Sequence, residues 1–458
     1  MALSGSEHTS ALSYAGATAR LSRWFTDTSD HSLAQRLAST VFLIRVLGAG
    51  FAFVTQIVLA RWMGSFEFGI YVYVWTWVLL LGGVVDLGLA SSAQRFIPEY
   101  RERKAFAHLR GFLAGSRWLA VGSALVIALV GALIVKLLAP WLDDYTIIPL
   151  CLACAILPAY ALGNTQDVIS RAHDWMGLAL APAFIVRQFL LVGLVGGIYA
   201  AGLPLTAVTV MIAAIVAVWT TVLGQLVLIN WRLGKHVERG PKAYQTRIWF
   251  ATALPIVLVE GFYLLLAHTD VILLEQFRPP NEVAFYYAAA KILALVVFIH
   301  YAISATTAHR FSRYHVAGDR AQLAAFLAQS IQWTFWPSVA VTAVLLIFGR
   351  PLLWLFGEGF SQGYHLMFIL AVGLLARAAI GPVERLLNML GEQRICALVY
   401  AGAFVLNFVL CLILIPSFGA AGAATATATA LVVESILLFV VTKRRLGLHV
   451  FVWSRAGD

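Results

Sequence analysis

Twelve apolar runs of about 20 residues or more leave the chain few ways to fold. They lie at 38–60, 69–93, 111–139, 146–166, 177–200, 206–229, 248–275, 284–306, 323–348, 363–390, 395–415 and 419–442. A run of this length spans the roughly 30 Å hydrocarbon core as a helix. Hydrocarbon offers an open backbone no partner, so an irregular or open-sheet crossing is excluded. Only 12% of the 458 residues are charged, 61% are hydrophobic, and mean hydropathy is +0.85. A soluble domain carries about 25% charged residues. A soluble enzyme, a disordered chain and a secreted disulfide scaffold are thereby excluded. The expected fold is an all-α polytopic membrane protein of about twelve transmembrane helices. No apolar core near the start marks a secretory signal peptide; residues 1–37 are rich in Ser, Thr and Ala.

The basic residues orient this array. With both termini cytoplasmic, the cytoplasmic segments hold 22 of the 32 Lys and Arg and the opposite segments hold four, Arg61, Lys136, Arg278 and Arg350. That asymmetry is the positive-inside pattern and accounts for the net charge of +10 without invoking nucleic acid. Trp62, Trp141, Trp231, Trp249 and Trp354 near span ends fit an interfacial belt. The expected organisation is a cytoplasmic tail (1–37), a first lobe (38–229), a basic cytoplasmic linker (230–247), a second lobe (248–442) and a cytoplasmic tail (443–458). The segment opposite the cytoplasm at 349–362 is too short for a further domain. The linker sits at the midpoint, and the chain repeats across it. Glu67-Phe68-Gly69-Ile70-Tyr71 and, 215 residues on, Glu282-Val283-Ala284-Phe285-Tyr286 each follow a Leu and a short loop and open a helix. Six helices per half give two parallel six-helix lobes, a secondary-transporter plan with the substrate site between halves.

Charges inside the membrane mark that site, because each costs at least about 2.5–3.5 kcal/mol near the bilayer centre. At about 100° per residue, Arg45 and Gln56 share a stripe of helix one, and Trp75, Gly82 and Asp86 one of helix two. Helix seven aligns Glu260, Tyr263 and Asp270; helix ten aligns Arg377, Gly381, Glu384 and Asn388. Arg187 and Lys291 are further cations within spans. The repeat offset places Arg45 opposite Glu260, so these charges either line a hydrated cavity or form an ion pair locking the halves together. The histidines fall mostly in loops, and His268 lies about 160° around its helix from Asp270. No clustered metal-ligand spacing, phosphate loop or nucleophile–base arrangement stands out, so no metal, cofactor or catalytic residue is expected. Cys151 and Cys154 form a CxxC within a span and, with Cys396 and Cys411, read as buried small hydrophobes.

Four segments resemble a known family in sequence order. Leu59-Ala60-Arg61-Trp62-Met63-Gly64 through Phe68-Gly69-Ile70-Tyr71 is similar to the opening of bacterial polysaccharide flippases. Asp86-Leu87-Gly88-Leu89 to Gln94-Arg95-Phe96 resembles the end of their second helix. Leu254-Pro255 to Asp270-Val271-Ile272-Leu273-Leu274 resembles their helix seven with its single Asp. Leu387-Asn388-Met389-Leu390-Gly391, then Asn407, then Ile415-Pro416-Ser417-Phe418-Gly419 resembles their C-terminal signature. The family is the oligosaccharide-lipid flippase branch of the multidrug/oligosaccharidyl-lipid/polysaccharide exporter superfamily. The loop Phe277-Arg278-Pro279-Pro280 lacks the Gly usual there. The two extra C-terminal helices of lipid II flippases are missing, which argues against a peptidoglycan precursor as cargo.

The resemblance implies two lobes around a central cavity alternating between inward-open and outward-open states in the bacterial inner membrane. The implied cargo is a polyprenyl-pyrophosphate-linked oligosaccharide bound for O-antigen, capsule or exopolysaccharide, with polysaccharide polymerase and chain-length machinery as further partners. Arg45, Arg187, Lys291 and Arg377 are then the expected pyrophosphate contacts, since Arg binds phosphate oxygens bidentately. Gln56, Asp86, Glu260, Tyr263, Asp270, Glu384 and Asn388 line the cavity or couple an ion. A multidrug exporter of the same superfamily and a membrane-embedded polymerase or ligase are the alternatives. The first would favour an acidic cavity, and the second a large outer loop.

Overall fold

The structure, a computed structural model, describes residues 30–237 and 240–453. Among the described residues all regular structure is helical. Nine helices are long and apolar enough to cross a membrane, and two of these, Thr40–Gly82 and Arg394–Leu446, are each two helices merged across a kink. The kinks sit at Gly64 (φ 79°, ψ 169°) and Gly419 (φ 57°, ψ −136°), backbone states that a Cβ disfavours. With the apolar 32-residue helix Thr246–Phe277, the described residues hold twelve spanning helices, as expected. They are α1 (30–63), α2 (65–82), α3 (Phe106–Leu138), α4 (Asp144–Arg171), α5 (Met176–Ala200), α6 (Ala207–His236), α7 (Thr246–Phe277), α8 (Pro280–Val316), α9 (Arg320–Ile347), α10 (Tyr364–Ile380), α11 (393–418) and α12 (420–446). The lipid-facing side of α3 is a continuous apolar strip in which Val126, Leu129, Leu133 and Leu137 are all exposed. A bilayer is the solvent such a surface requires.

Two lobes result. α1 and α2 pack on α4, α5 and α6, with α3 on α4; α8 packs on α9 and α10, and the 393–446 segment on α7 and α10. The lobes meet where α1 and α2 cross α7 and α8. One end of the bundle carries the α1–α2 and α7–α8 turns and is called the turn end; the other carries the linker residues 240–245. The repeated motif has a structural job. Glu67 Oε2 accepts the Ala207 N–H at 2.6 Å, at the start of α6, and Glu282 Oε2 accepts the Ala420 N–H at 2.9 Å, at the start of α12. Each half thus uses the same glutamate to cap its own sixth helix, where free N–H groups and the positive end of the helix dipole favour a carboxylate. Arg278 closes the helix before that kink by donating to the carbonyls of Ile415 (3.4 Å) and Pro416 (2.9 Å).

Several sequence expectations need correction. α1 begins at Asp30, inside the expected tail; the rest of that tail, 1–29, lies outside the described residues, as do 454–458. Helix two does not run to 93: residues 83–88 form turns, and a separate helix follows at Leu89–Glu102. Helix ten stops at Ile380 and a short helix resumes at Val383–Met389, so the expected Arg377–Asn388 stripe spans two helices. The linker is strapped down: Ala243 N–H donates to Ala107 O at 2.9 Å and Arg110 Nε to Pro241 O at 3.0 Å. Within the expected C-terminal tail (443–458), the chain folds back beyond α12 and buries Leu448, Val450 and Val452. Cys151 is exposed and Cys154 half-buried rather than core residues; Cys396 and Cys411 are buried, and all four are free thiols. Lipid-facing positions accept a small apolar thiol as readily as a core does.

Candidate functional site at the lobe seam

The seam is closed at the turn end. Ser65 Oγ donates to Asn281 Oδ1 at 3.1 Å, joining residues one step from the repeat offset. Gln276 Nε2 donates to Tyr73 OH at 3.1 Å. Phe68 packs edge-on against Tyr287 and Phe360, with ring centroids 6.2 and 6.0 Å away. Arg61 caps the Trp354 ring at 4.9 Å, and Phe53 meets Phe356 at 5.8 Å. The expected loop at 349–362 is two short helices, Gly349–Trp354 and Glu358–Gly363; their buried Leu353 and Phe360, with Phe356 between the helices, plug the seam. A second tie lies toward the linker end, where Trp249 Nε1 donates to Tyr100 OH (3.1 Å) and Tyr100 OH to Gln245 Oε1 (3.0 Å).

Below the plug lie two of the expected cations, one from each lobe. A π-turn over Pro182–Val186 precedes Arg187, because Pro182 has no N–H and the Arg187 N–H bonds back to Pro182 O. The Arg187 guanidinium lies 5.7 Å from the Trp75 ring centroid. With Gln56, Tyr71 and Trp75 it lines a 20 Å³ void, room for about one water. Gln56 Oε1 is buried there without a hydrogen bond. Across the seam, Lys291 Nζ sits 4.9 Å from the Tyr287 ring centroid. Tyr71 and Tyr287 are buried neighbours within electrostatic reach of each other, and Arg187 is within reach of Tyr71. Arg45, unlike Arg187 and Lys291, makes its ring contact across the seam, 5.5 Å from the Tyr301 ring, with its Nε buried and without a hydrogen bond. Among the described residues Arg45, Arg187 and Lys291 make no ion pair. An aromatic face holds a cation by about 0.5–2 kcal/mol. An anion that offers charge-assisted hydrogen bonds replaces such a contact readily.

A separate 330 Å³ cavity opens between the lobes and is lined by Gly83, Asp86, Asn164, Asp167, Glu260 and Tyr263 among others. Asp86 is 4% exposed and accepts the Gly88 N–H at 3.0 Å. Asp167 is held bidentately by Arg171, at 2.9 and 2.6 Å, one helical turn on. Asp86 lies within electrostatic reach of Glu260. Tyr263, half exposed, is braced edge-on by Tyr400 at 6.0 Å.

The remaining expected residues lie elsewhere. Arg377 contacts Glu384 (NH2 to Oε2, 3.6 Å) and the fully buried Glu434 (Nε to Oε1, 3.6 Å), so its charge is already used within the second lobe. The break at Gly381 turns the Val383–Met389 helix so that Glu384 reaches Arg377, and Asn388 sits in the last turn of that helix. Asp270 is buried and accepts from Tyr286 OH and from Thr427 Oγ1, the latter at 3.1 Å, inside the second lobe rather than facing the seam. Sequence reasoning left out Tyr71, Tyr287 and Asp167. Aromatic–cation spacing of four residues, Tyr287 to Lys291, was the available signal, since such pairs share a helix face. It also left out Glu275, 5% exposed with neither carboxylate oxygen hydrogen-bonded. No group of three metal-ligating side chains occurs among the described residues.

Comparison with known proteins places this architecture. A family model described as polysaccharide biosynthesis protein matches residues 36–315, more than half of the chain, and a second, MatE, matches residues 255–413. The probable low-salt glycan biosynthesis flippase Agl15 of Haloferax volcanii is 24% identical over 225 residues, 48% of this chain and 47% of its own length. The chain spans about half the length of the curated relatives it matches. The lipid II flippase MurJ in an inward closed conformation superposes with a TM-score of 0.71 at 13% identity, over 88% of this chain and 87% of its own. An inward-facing multidrug resistance MATE transporter of the MOP superfamily gives 0.73 at 15% identity, over 87% and 94%. The two-lobed fold is common to all three. This chain is a multi-pass membrane protein and belongs to the polysaccharide biosynthesis protein family.

Proposed function

We propose that the chain is a flippase that moves polyprenyl-pyrophosphate-linked oligosaccharides from the cytoplasmic to the outer leaflet for cell-surface polysaccharide synthesis. The observation that carries this reading is the pair Arg187 and Lys291, one per lobe, each resting on an aromatic ring and neither in an ion pair among the described residues. A pyrophosphate needs cations to replace its water, and its glycan cannot cross hydrocarbon unaided. Arg45 is a third contact nearer the linker end. The polyprenyl tail stays in lipid at the edge of the seam. The two lobes, 38–229 and 248–442, rock about that seam, and rupture of the Ser65–Asn281 and Tyr73–Gln276 bonds opens the turn end. With both termini cytoplasmic in the inner membrane, a negative interior drives an anionic cargo outward by about 2.3 kcal/mol per charge per 100 mV. Polymerase and chain-length proteins take over the cargo on the far side.

The test is a strain lacking the chain. Loss of surface polymer with build-up of the lipid-linked unit on the cytoplasmic face is the expected result, and Arg187→Ala or Lys291→Ala fails to restore export while remaining in the membrane. Build-up on the outer face instead points to a polymerase or ligase and refutes the reading. A cation exporter is the second reading, favoured by the MatE match and by the carboxylates at Asp86, Asp167 and Glu260. It predicts unchanged glycan pools and altered dye efflux.

A further inference from the structure

Arg117 is a cation that the seam does not use. It lies on α3, and its Nη1 donates to Asn230 Oδ1 of α6 at 2.7 Å. Its Nε and Nη2 are buried and donate to nothing, and among the described residues it makes no ion pair. Those two N–H groups form one edge of the guanidinium, the edge with which Arg171 grips both oxygens of Asp167. A guanidinium taken out of water with that edge unmatched keeps its desolvation cost. Helix α3 itself shows its depth. Trp118 and Trp141 are both exposed and 23 residues apart, about 35 Å along the helix. The hydrocarbon core is about 30 Å thick, so the two indoles mark its two boundaries and Arg117 lies at head-group level. On α6 the exposed stripe of Leu223 and Val227 continues to Asn230 and Trp231, both exposed. The Arg117–Asn230 bond therefore joins two lipid-facing helix faces at one depth. One turn on, the exposed Lys235 holds its Nζ 3.5 Å from the Trp231 ring centroid, again with no ion pair among the described residues.

We infer that Arg117, Asn230 and Lys235 form a site for the phosphate of an anionic phospholipid in the leaflet at the linker end. The anion that a bilayer supplies at this depth is the lipid phosphate, and basic pockets between spanning helices take such head groups. Arg117 as a whole is partly exposed while its unmatched edge is covered, so the guanidinium swings outward about the Asn230 contact and offers that edge to two phosphate oxygens. Asn230, whose Oδ1 is engaged by Arg117, has its Nδ2 to donate, and Lys235 adds a second charge. A choline or ethanolamine head group would bring its own cation against these two, and a glycerol head group does not. The acyl chains lie along the apolar faces of α3 and α6. The bound lipid ties two outer helices of the first lobe together and steadies that lobe. The inference needs only that the chain sits in a membrane, and it stands apart from the flippase reading.

The experiment offers the purified, delipidated full chain an equal mixture of phosphatidylglycerol and phosphatidylcholine with the same acyl chains. Native mass spectrometry reads the ratio of the two in the one-lipid complex, and thermal midpoints are taken alongside. Wild type should favour phosphatidylglycerol by about tenfold or more, the worth of a charge-assisted hydrogen bond. Arg117→Gln should bring the ratio toward one, and Arg117→Lys, which keeps the charge without the fork, should fall between. Lys136→Gln, near the opposite end of the same helix, should leave the ratio at the wild-type value. Lys235→Gln, at an exposed position, should lower the ratio in part and decides the matter if Arg117→Gln does not fold. A wild-type ratio near one overturns the inference. So does a ratio unmoved by Arg117→Gln while the midpoint falls, which leaves Arg117 a strut between helices. Inorganic phosphate at matched concentration that raises the midpoint as much as phosphatidylglycerol assigns the site to a free anion and overturns it too.

Discussion

Arg377→Ala separates a structural ion cluster from a cargo contact. Arg377 lies between Glu384, whose side chain is 27% exposed, and Glu434, whose side chain is 0% exposed. The two carboxylates outnumber the one guanidinium, so truncation leaves two negative charges facing each other, one of them fully buried. Removing one partner of a buried pair costs about 3–5 kcal/mol, because the other charge keeps its desolvation penalty. The partly exposed Glu384 contact adds at most about 1 kcal/mol. Native stabilities are about 5–15 kcal/mol, so the loss takes a large share of the total. The assay is the midpoint temperature and yield of detergent-purified protein by fluorescence-detected size exclusion, alongside export in the deletion strain. Arg377→Ala should fall sharply in both midpoint and abundance. Arg377→Met/Glu434→Gln, which removes both buried charges at similar volume, should recover most of that loss. If Arg377→Ala melts and accumulates as wild type does but exports nothing, the cluster is not structural and Arg377 serves the cargo directly.

Three further outcomes follow from the seam and the caps. Glu67→Ala and Glu282→Ala should each lower stability by about 1.5–3 kcal/mol, the worth of a charge-assisted hydrogen bond, and by similar amounts because each caps the sixth helix of its own half; thermal midpoints of the two purified variants check this. In a background with Cys151 replaced, Ser65→Cys/Asn281→Cys should form a disulfide that stops transport and is reversed by reductant, read by gel shift and by export. Gly69→Ala should separate the lobes at the turn end, since its Cβ would overlap the Pro280 carbonyl. Faster labelling of an introduced thiol at Tyr287 reports the opening, and unchanged labelling argues against so tight a seam.

The helix count was legible because hydrocarbon tolerates no other crossing. Long apolar runs are the clearest signal in sequence, and α7 and α8 needed nothing more. The repeat at Glu67 and Glu282 was legible as a pattern, but its meaning was not. Only the packing of the α1–α2 turn against the start of α6, and of the α7–α8 turn against the α11–α12 kink, shows both residues as caps. The breaks at 83–88 and after Ile380 lay inside apolar runs, where hydropathy has no punctuation to read. In-span charges were found as a set and not sorted. Arg45, Arg187, Lys291 and Arg377 carry the same charge, and each lies on an apolar helix.

The amino-acid sequence alone determined the class of molecule, the number of crossings, the two-fold repeat and the short roll of charges that the membrane must accommodate. Those follow from transfer energies and periodicity, which are properties of single segments. Tertiary structure decided what each charge faces. Arg377 meets two carboxylates because Gly381 ends its helix and Glu384 swings in; Arg187 meets Trp75 because α5 packs on α2, and Lys291 lies over Tyr287 one turn back on α8. The energy of a buried charge depends on its partners within a few ångströms, and distant parts of the chain become partners only when the lobes pack.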